Sequence, residues 1–236
     1  MSEAGSKKAP ALIGSGRRIG TERTPVLVID GFTPWTEPLR RNAHAGSFAE
    51  DGATLYPGLR AKMPREPALA VLERVYRQLY GLYRIPSSLR LKPLQAYFSL
   101  VTRSPAELDT LQRIPHFDTS SPFFFALLLY LNPGSHGATG FFRHKPTGYE
   151  RIGDDRVDSY LVSASEYMQS AGAPAQQYCT GTTGQYELYH QIEYLQHRLA
   201  IYPGNLLHSI LVDSERDICA DPTRGRLTAN IFFEFR

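Results

Sequence analysis

Two side chains that bind metals strongly stand two positions apart in the segment PHFDTSSPFFFALLLYLNPG, just before a long apolar run. They are His116 and Asp118. On an extended strand, residues two apart point the same way, so both side chains can reach one ion. Two protein ligands hold a metal poorly, and the third candidate is His208, ninety residues after Asp118 in the strand-like run NLLHSILV. Two histidines and one carboxylate that leave coordination positions open suit non-haem Fe(II) oxygenases.

Other interpretations of these three residues stay open. A single histidine in an apolar strand is commonly a hydrogen-bonded core residue, and an HxD sequence also occurs by chance. Imidazole and carboxylate ligands fit Mn, Co or Zn as well, so the ligand types alone do not choose the metal. The order of the residues, separated by strand-like segments, favours one shared metal site.

Oxidative chemistry at such a site needs a source of electrons. The sequence has no GxGxxG motif that opens a helix and no P-loop, so it lacks the fingerprints of flavin and nicotinamide binding. A small organic reductant that chelates the metal would fill this gap. If the reductant is a dianion, a cation must hold its far end. Arg226 in RGRLTANIFFEF is the candidate, because its planar fork binds a carboxylate through two hydrogen bonds and stays charged.

The elements that must position these residues are mostly short strands. The run TPVLVI predicts a strand, followed by a turn at Asp30-Gly31 and Pro34. Apolar residues at steps of three and four predict an amphipathic helix over 66–82, and DSYLVSASEYMQ predicts a second helix. Seven strand-like runs follow Pro86: LQAYFSLV, FFFALLLYLN, TGFFRH, YELYHQIEY, RLAIYPG, NLLHSILV and RLTANIFFEF. Together they predict a β-sandwich or double-sheet jelly roll rather than a βαβ fold.

Composition limits the remaining choices. A chain of 236 residues with 42% hydrophobic content can bury a sizeable core, and we expect a flexible tail over 1–23 and one domain over 24–236. The formal charge of +3 is small and dispersed, which predicts no nucleic-acid partner. No apolar run reaches the roughly 18 residues of a membrane span. We therefore expect a soluble, cytoplasmic protein in which Cys179 and Cys219 are reduced thiols.

Five segments, in order along the chain, resemble the 2-oxoglutarate/Fe(II)-dependent dioxygenases, in particular their prolyl-hydroxylase-like branch. They are VLVIDGFTP, HFD, LLLYLNPGSHGATGFFRH, HSI and GRLTANIFF, and the resemblance covers roughly residues 25 to 236. Within that superfamily the chain is most similar to a bacterial group with PHxD, FxRH and GRLTxNxFF elements. The resemblance implies a mainly β fold, a double-stranded β-helix (jelly roll) with a few flanking α-helices.

The resemblance also implies roles for single residues. His116, Asp118 and His208 would ligate Fe(II) as the catalytic centre, and Arg226 would pair with the distal carboxylate of 2-oxoglutarate. Tyr130 matches a position that can donate a hydroxyl hydrogen bond to the same carboxylate. The alternative for Tyr130 is a core tyrosine whose hydroxyl has a protein partner.

The position of Arg226 departs from the family spacing. It follows His208 by eighteen residues, whereas the family usually shows about ten. The intervening DSERDICADPT is polar and predicts an inserted loop that preserves the geometry of the strands. Arg224 is an alternative, because on one strand Arg224 and Thr228 share the face of Arg226, and Thr228 is predicted to join the co-substrate site. The glycine before Arg226 matches the family pattern and favours Arg226.

The residues that contact the substrate are harder to predict. Arg143 and His144, just after the Gly-rich turn PGSHGATG, correspond to a neighbourhood that borders the open face of the metal site in related proteins. We expect them to contact an anionic or polar substrate. The alternative is a solvated end of a strand.

The function implied by the resemblance is hydroxylation of a C–H bond of an amino acid, peptide or other small metabolite. O2 and 2-oxoglutarate would be consumed, and succinate and CO2 released. Asp118 favours hydroxylation over halogenation, because a small residue there would open a position for halide. The alternatives are a jelly-roll binding module and a cupin-type metalloprotein that uses no 2-oxoglutarate. The sequence predicts no membrane partner and leaves a homodimer open.

Overall fold

A computed structural model describes residues 14–52 and 54–236, which form two antiparallel β-sheets with three α-helices around them. The strands are β1 Ser15–Ile19, β2 Thr24–Ile29, β3 Ala49–Glu50, β4 Gly58–Lys62, β5 Leu91–Val101, β6 Phe124–Tyr130, β7 Thr139–His144, β8 Tyr186–Ile192, β9 Leu199–Pro203, β10 His208–Ile210 and β11 Thr228–Phe235. The helices are α1 Thr33–His44, α2 Arg65–Tyr83 and α3 Val157–Ala171. The larger sheet has the order β1-β2-β9-β6-β11-β5-β4-β3, and the smaller has the order β10-β7-β8. The predicted mainly β jelly roll with a few flanking helices is confirmed.

The central strand β6 is buried on both faces. Phe125, Leu127 and Leu129 belong to the core that the larger sheet shares with α1 and α2, while Ala126 and Leu128 face the space between the two sheets. Side chains alternate along a strand, so one apolar run supplies both layers. This explains why the run has no polar alternation.

Helices α2 and α3 lie where the sequence predicts them. In α2, one stripe of residues at helical spacing is buried: Ala68, Val71, Leu72, Val75 and Leu79. Such a stripe forms because residues three and four apart share one face of a helix. Helix α3 packs Tyr160 and Ala164 into a separate core beside the smaller sheet and ends before Gly172.

The structure differs from the sequence predictions at two places in the N-terminal part of the chain. Residues 15–19 of the predicted tail form β1, which pairs along its length with β2; residues 1–13 of that tail lie outside the described residues. The predicted turn after β2 leads directly into α1. Gly31 makes the turn with φ +68, but Pro34 stands in the first turn of the helix, where a missing backbone N–H costs little.

The polar insertion between β10 and β11 is anchored. The carboxylate of Asp217, fully buried, accepts backbone hydrogen bonds from Gly137 and Asp213 at 2.9 and 2.8 Å, and His136 contacts it at 3.0 Å. The loop is therefore held against the Gly-rich turn, and β11 returns beside β6. Both cysteines are free thiols, and in the described part of the chain we find no helix that is long and apolar enough to span a membrane.

Candidate metal centre and adjoining cavities

The structure brings together the three residues that the sequence predicts as metal ligands. One ligand atom each from His116, Asp118 and His208 lie within 4.8 Å of one another. The rings of the two histidines are 4.4 Å apart between centroids, and His116 Nε2 lies 3.9 Å from a carboxylate oxygen of Asp118. No other such group of three or more His, Cys, Asp or Glu ligands occurs within residues 14–52 and 54–236.

Backbone pairing places these side chains. His116 and His208 exchange both backbone hydrogen bonds, at 2.9 and 2.8 Å, as an isolated antiparallel bridge. The N–H of Asp118 donates to Gly204 at 2.7 Å, so the segment continues beside the turn between β9 and β10. The HFD segment therefore precedes β6 rather than belonging to it. Alternation still holds, since Phe117 packs near Tyr160 in the core beside α3 while its two neighbours face the site.

The protonation of the histidines suits metal ligation. Nδ1 of His208 donates to the carbonyl of Leu206 at 2.9 Å, which leaves Nε2 with its lone pair for a ligand. Desolvation by the surrounding protein and, second, the electrostatic effect of the His208 ring lower the pKa of His116 to about 3. Its imidazole is therefore neutral. Desolvation by the surrounding protein raises the pKa of Asp118. A divalent cation between the three side chains would offset the cost of desolvating that carboxylate.

Arg226 is a buried cation without an anionic partner. It is 1% exposed, its Nε donates to the carbonyl of Gly137 at 2.7 Å, and its Nη2 is buried with no hydrogen-bond partner. Its Cζ lies 5.6 and 5.7 Å from the ring centroids of Tyr130 and Tyr194. No carboxylate of the described residues lies within ion-pair distance of it. Burying an unpaired guanidinium costs free energy, and an anion bound at Nη2 would offset that cost.

Of the two candidate arginines, Arg226 faces the site and Arg224 does not. Arg226 lines the same cavity as the three clustered residues, whereas Arg224 is exposed in the turn that precedes β11. The strand begins only at Thr228, so the shared-face argument does not apply to Arg224. Thr228 also lines the cavity and is 1% exposed.

Tyr130 lies behind the cavity rather than in its wall. Its hydroxyl makes a hydrogen bond of 2.8 Å with Thr139 and donates to the carbonyl of Ile192 at 3.4 Å. These partners match the alternative of a core tyrosine with a satisfied hydroxyl. Its ring supports the guanidinium of Arg226 from one side.

Two adjoining cavities open at the clustered residues. The inner chamber, about 80 Å³, is lined by His116, Asp118 and His208, by Arg226 and Thr139, and by inward-facing residues of β6 and β11: Ala126, Leu128, Thr228, Asn230 and Phe232. The outer cavity, about 370 Å³, is lined mainly by apolar residues of the loops before β4 and before β6. The two share His116 and Asp118, so a molecule in the outer cavity lies against the cluster. A volume of this size suits a small molecule.

The predicted substrate contacts of Arg143 and His144 require correction, because neither side chain lines these cavities. Arg143 Nε donates to Glu150 at 3.0 Å and its Nη1 donates to Glu187 at 2.7 Å. His144 is fully buried and its Nδ1 lies 2.9 Å from the hydroxyl of Thr147. Both side chains have protein partners away from the cluster. The alternative of a solvated strand end does not hold for His144 either, because this side chain is buried.

Sequence reasoning missed Arg60, which lines both cavities. It stands in GLRAK, a short run without a motif, and β4 was not predicted. Only the pairing of β4 with β5 brings it to the site.

Comparison with solved structures supports the fold. The crystal structure of HygX from Streptomyces hygroscopicus with iron bound matches 90% of this chain and 83% of its own, with a TM-score of 0.51 and 14% identity. A viral collagen prolyl hydroxylase from Paramecium Bursaria Chlorella virus-1, as a 2-oxoglutarate complex, matches 89% of this chain and 94% of its own, with a TM-score of 0.45 and 12% identity. An N-substituted L-amino acid dioxygenase from Burkholderia ambifaria AMMD matches 94% and 93%, with a TM-score of 0.40 and 13% identity.

At 14% identity and a TM-score of 0.51, the match to the iron-bound HygX structure shows a shared fold. No curated protein matches the chain by sequence. A family model does match nearly the whole chain, over residues 11–233. The chain therefore belongs to the family described as "Family of unknown function (DUF6445)".

Proposed function

We propose that this chain is a non-haem Fe(II)- and 2-oxoglutarate-dependent oxygenase that hydroxylates a C–H bond of a small molecule. His116, Asp118 and His208 hold the iron, and Arg226 binds the distal carboxylate of 2-oxoglutarate. The observation that carries this proposal is the unpartnered Nη2 of Arg226 in the wall of the chamber that contains the three candidate ligands.

The donor set fits the proposed metal. Two neutral imidazoles and one carboxylate occupy one side of an ion and leave positions open for a chelating co-substrate and O2. The same donors accept Mn, Co or Zn, so the choice of iron rests on the co-substrate site beside them. HygX, which shares the fold, has been solved with iron bound.

The side chains around the chamber have separate tasks. Arg226, held by Gly137 and by two tyrosine rings, orients the co-substrate at a fixed distance from the metal ligands. Ala126 and Leu128 form an apolar wall that excludes water. When bound, iron and 2-oxoglutarate would supply the oxidation: one oxygen atom of O2 enters succinate as 2-oxoglutarate loses CO2, and the other is inserted into the C–H bond.

Absorption spectroscopy without O2 tests the metal ligands. Fe(II) and 2-oxoglutarate added to the wild-type protein are expected to produce a visible charge-transfer band that neither produces alone. His116→Ala removes one ligand, and we expect it to abolish the band. His44→Ala is the matched control, because His44 lines neither cavity. A band that is unchanged in His116→Ala would show that the ligands are assigned wrongly.

The alternatives from other classes make different predictions. A jelly-roll binding module would bind no iron and show no response to 2-oxoglutarate. A cupin-type metalloprotein would bind metal, but Arg226→Ala would leave its turnover unchanged. Succinate release across a panel of amino acids, peptides and cell extracts, with detection of a gain of one oxygen atom by mass, identifies the substrate. The homodimer and the cytoplasmic location stay predictions.

A further inference from the structure

Arg60 stands where the inner chamber meets the outer cavity. It is the middle residue of β4 and pairs with Ser99 of β5. Its side chain is 13% exposed. The guanidinium carbon lies 4.7 Å from the ring centroid of Tyr56 and 5.2 Å from that of Tyr97. The two aromatic contacts hold the planar group in place, as cation–π contacts do.

The hydrogen-bonding capacity of Arg60 is mostly unused. Its Nη1 reaches Asp51 at 3.4 Å, which is long for a charge-assisted hydrogen bond. Its Nε is buried and has no partner. A guanidinium has five N–H donors, and one side of its fork, Nε with an Nη, matches both oxygens of a carboxylate. The position therefore favours a planar anion.

The rest of the outer cavity offers apolar contacts. Leu55, Leu111, Ile114, Phe124 and Phe232 form much of its wall. Among the described residues that line this cavity, Arg60 is the one Lys or Arg, and Asp118 is the one carboxylate. Asp118 belongs to the metal cluster, so its charge is balanced when metal binds. Asp51 approaches the guanidinium only at Nη1, so the Nε side of the fork is open to the one negative charge of an otherwise apolar molecule.

We propose that the outer cavity binds a small carboxylic acid with an apolar body, and that Arg60 pairs with its carboxylate. This inference rests on the proposed function and names the substrate class of the same site. The apolar body of the acid packs on the apolar wall of the outer cavity. One C–H bond of the acid then lies against the metal cluster. Arg60 disfavours substrates with an amino group at this position, because two buried cations repel each other. One guanidinium neutralises a carboxylate but only part of a phosphate dianion, so the carboxylate fits better.

A matched pair of probes tests the charge requirement. We choose 3-phenylpropionate and 3-phenylpropionamide, which have the same shape and differ in charge. Calorimetric titration uses the protein loaded with Fe(II) and 2-oxoglutarate without O2. The wild-type protein is expected to bind the acid about 10- to 150-fold more tightly than the amide, the range for one hydrogen bond between charged groups. In Arg60→Met the preference falls below about 3-fold, and Arg60→Lys retains part of it because the charge remains.

Controls separate this inference from the proposed function. Lys62→Met removes a positive charge from the exposed end of the same strand and is expected to keep the preference. Affinity for 2-oxoglutarate, measured first in each variant, stays within about 3-fold of wild type in Arg60→Met, since we assign that anion to Arg226. Unfolding temperatures check that every variant is folded.

Several outcomes would overturn the assignment of Arg60. They are equal affinities of the wild-type protein for acid and amide, no detectable binding of the acid, or an undiminished preference in Arg60→Met. A loss of 2-oxoglutarate affinity in Arg60→Met as large as in Arg226→Met would make Arg60 a co-substrate residue instead. If the wild-type protein does not bind 2-oxoglutarate at all, the proposed function fails, and that result precedes the substrate titration.

Discussion

Replacing Arg226 by methionine tests whether this arginine binds a ligand or stabilises the fold. Methionine keeps an unbranched side chain of similar length and removes the charge and every donor. In the wild-type structure Nε is used by the carbonyl of Gly137 at 2.7 Å, whereas Nη2 is buried without a partner. The free Nη2 is the group that we expect to contact 2-oxoglutarate.

The size of the effect on binding follows from that one contact. A hydrogen bond to a charged group contributes about 1.5–3 kcal/mol, and about 1.4 kcal/mol corresponds to a tenfold change in affinity. Arg226→Met is therefore expected to weaken 2-oxoglutarate binding by about 10- to 150-fold in the Fe(II)-loaded protein. Calorimetry without O2 measures this dissociation constant.

The effect on stability should differ from the effect on binding. Without ligands, the variant loses the bond to Gly137 but also loses an uncompensated buried charge, so its free energy of unfolding changes by less than about 2 kcal/mol. With 2-oxoglutarate at a hundred times the wild-type dissociation constant, the wild-type protein gains about 2.7 kcal/mol of stability. A variant with a hundredfold weaker affinity gains about 0.4 kcal/mol at the same concentration.

Arg224→Met is the matched control, because Arg224 is exposed in the turn just before β11. We expect it to change neither the affinity nor the stability. An Arg226→Met variant whose 2-oxoglutarate affinity stays within about 3-fold of wild type would refute the reasoning. A ligand-free variant destabilised by more than about 4 kcal/mol would indicate that Arg226 is structural.

Two further predictions concern a glycine beside the metal site and a buried ion pair away from it. In Gly204→Ala the new Cβ would lie 2.5 Å from the ring of Phe124 and 3.3 Å from Cβ of Asp118; we expect a loss of about 1–3 kcal/mol in unfolding experiments and weaker metal binding in titrations. For Glu150, burial acts to raise the pKa, but hydrogen bonds from Arg143 and from backbone N–H groups lower it below its usual 4.5. Its stabilising contribution is therefore complete above pH 4.5 and disappears as the pH falls through the lowered native pKa. Glu150→Gln should lower the free energy of unfolding by about 3 kcal/mol at pH 7, with a smaller difference from wild type in acid; a difference that does not depend on pH would contradict this.

Local patterns predicted most of the elements near the site. The apolar stripe of α2 and the strand-like runs after Pro86 are visible in the sequence, because a helix or strand must bury one face whatever surrounds it. Prediction failed where tertiary contacts decide the local structure. Residues 15–19 look like a polar tail, but they form β1 because β2 offers an edge with which to pair.

The sequence by itself determined the types and order of the chemical groups: the HxD pair, the distal histidine and an arginine before the last strand. A motif carries that information because ligand chemistry depends on residue type and on alternation along an extended segment. Only the tertiary structure decided which groups meet. Pairing across ninety-two residues sets His116 opposite His208. Burial just before β11 selects Arg226 over the exposed Arg224, and β4 brings Arg60 to the cavity while Arg143 turns to Glu150. These outcomes depend on strand partners far apart in the chain, and no local pattern encodes such partners.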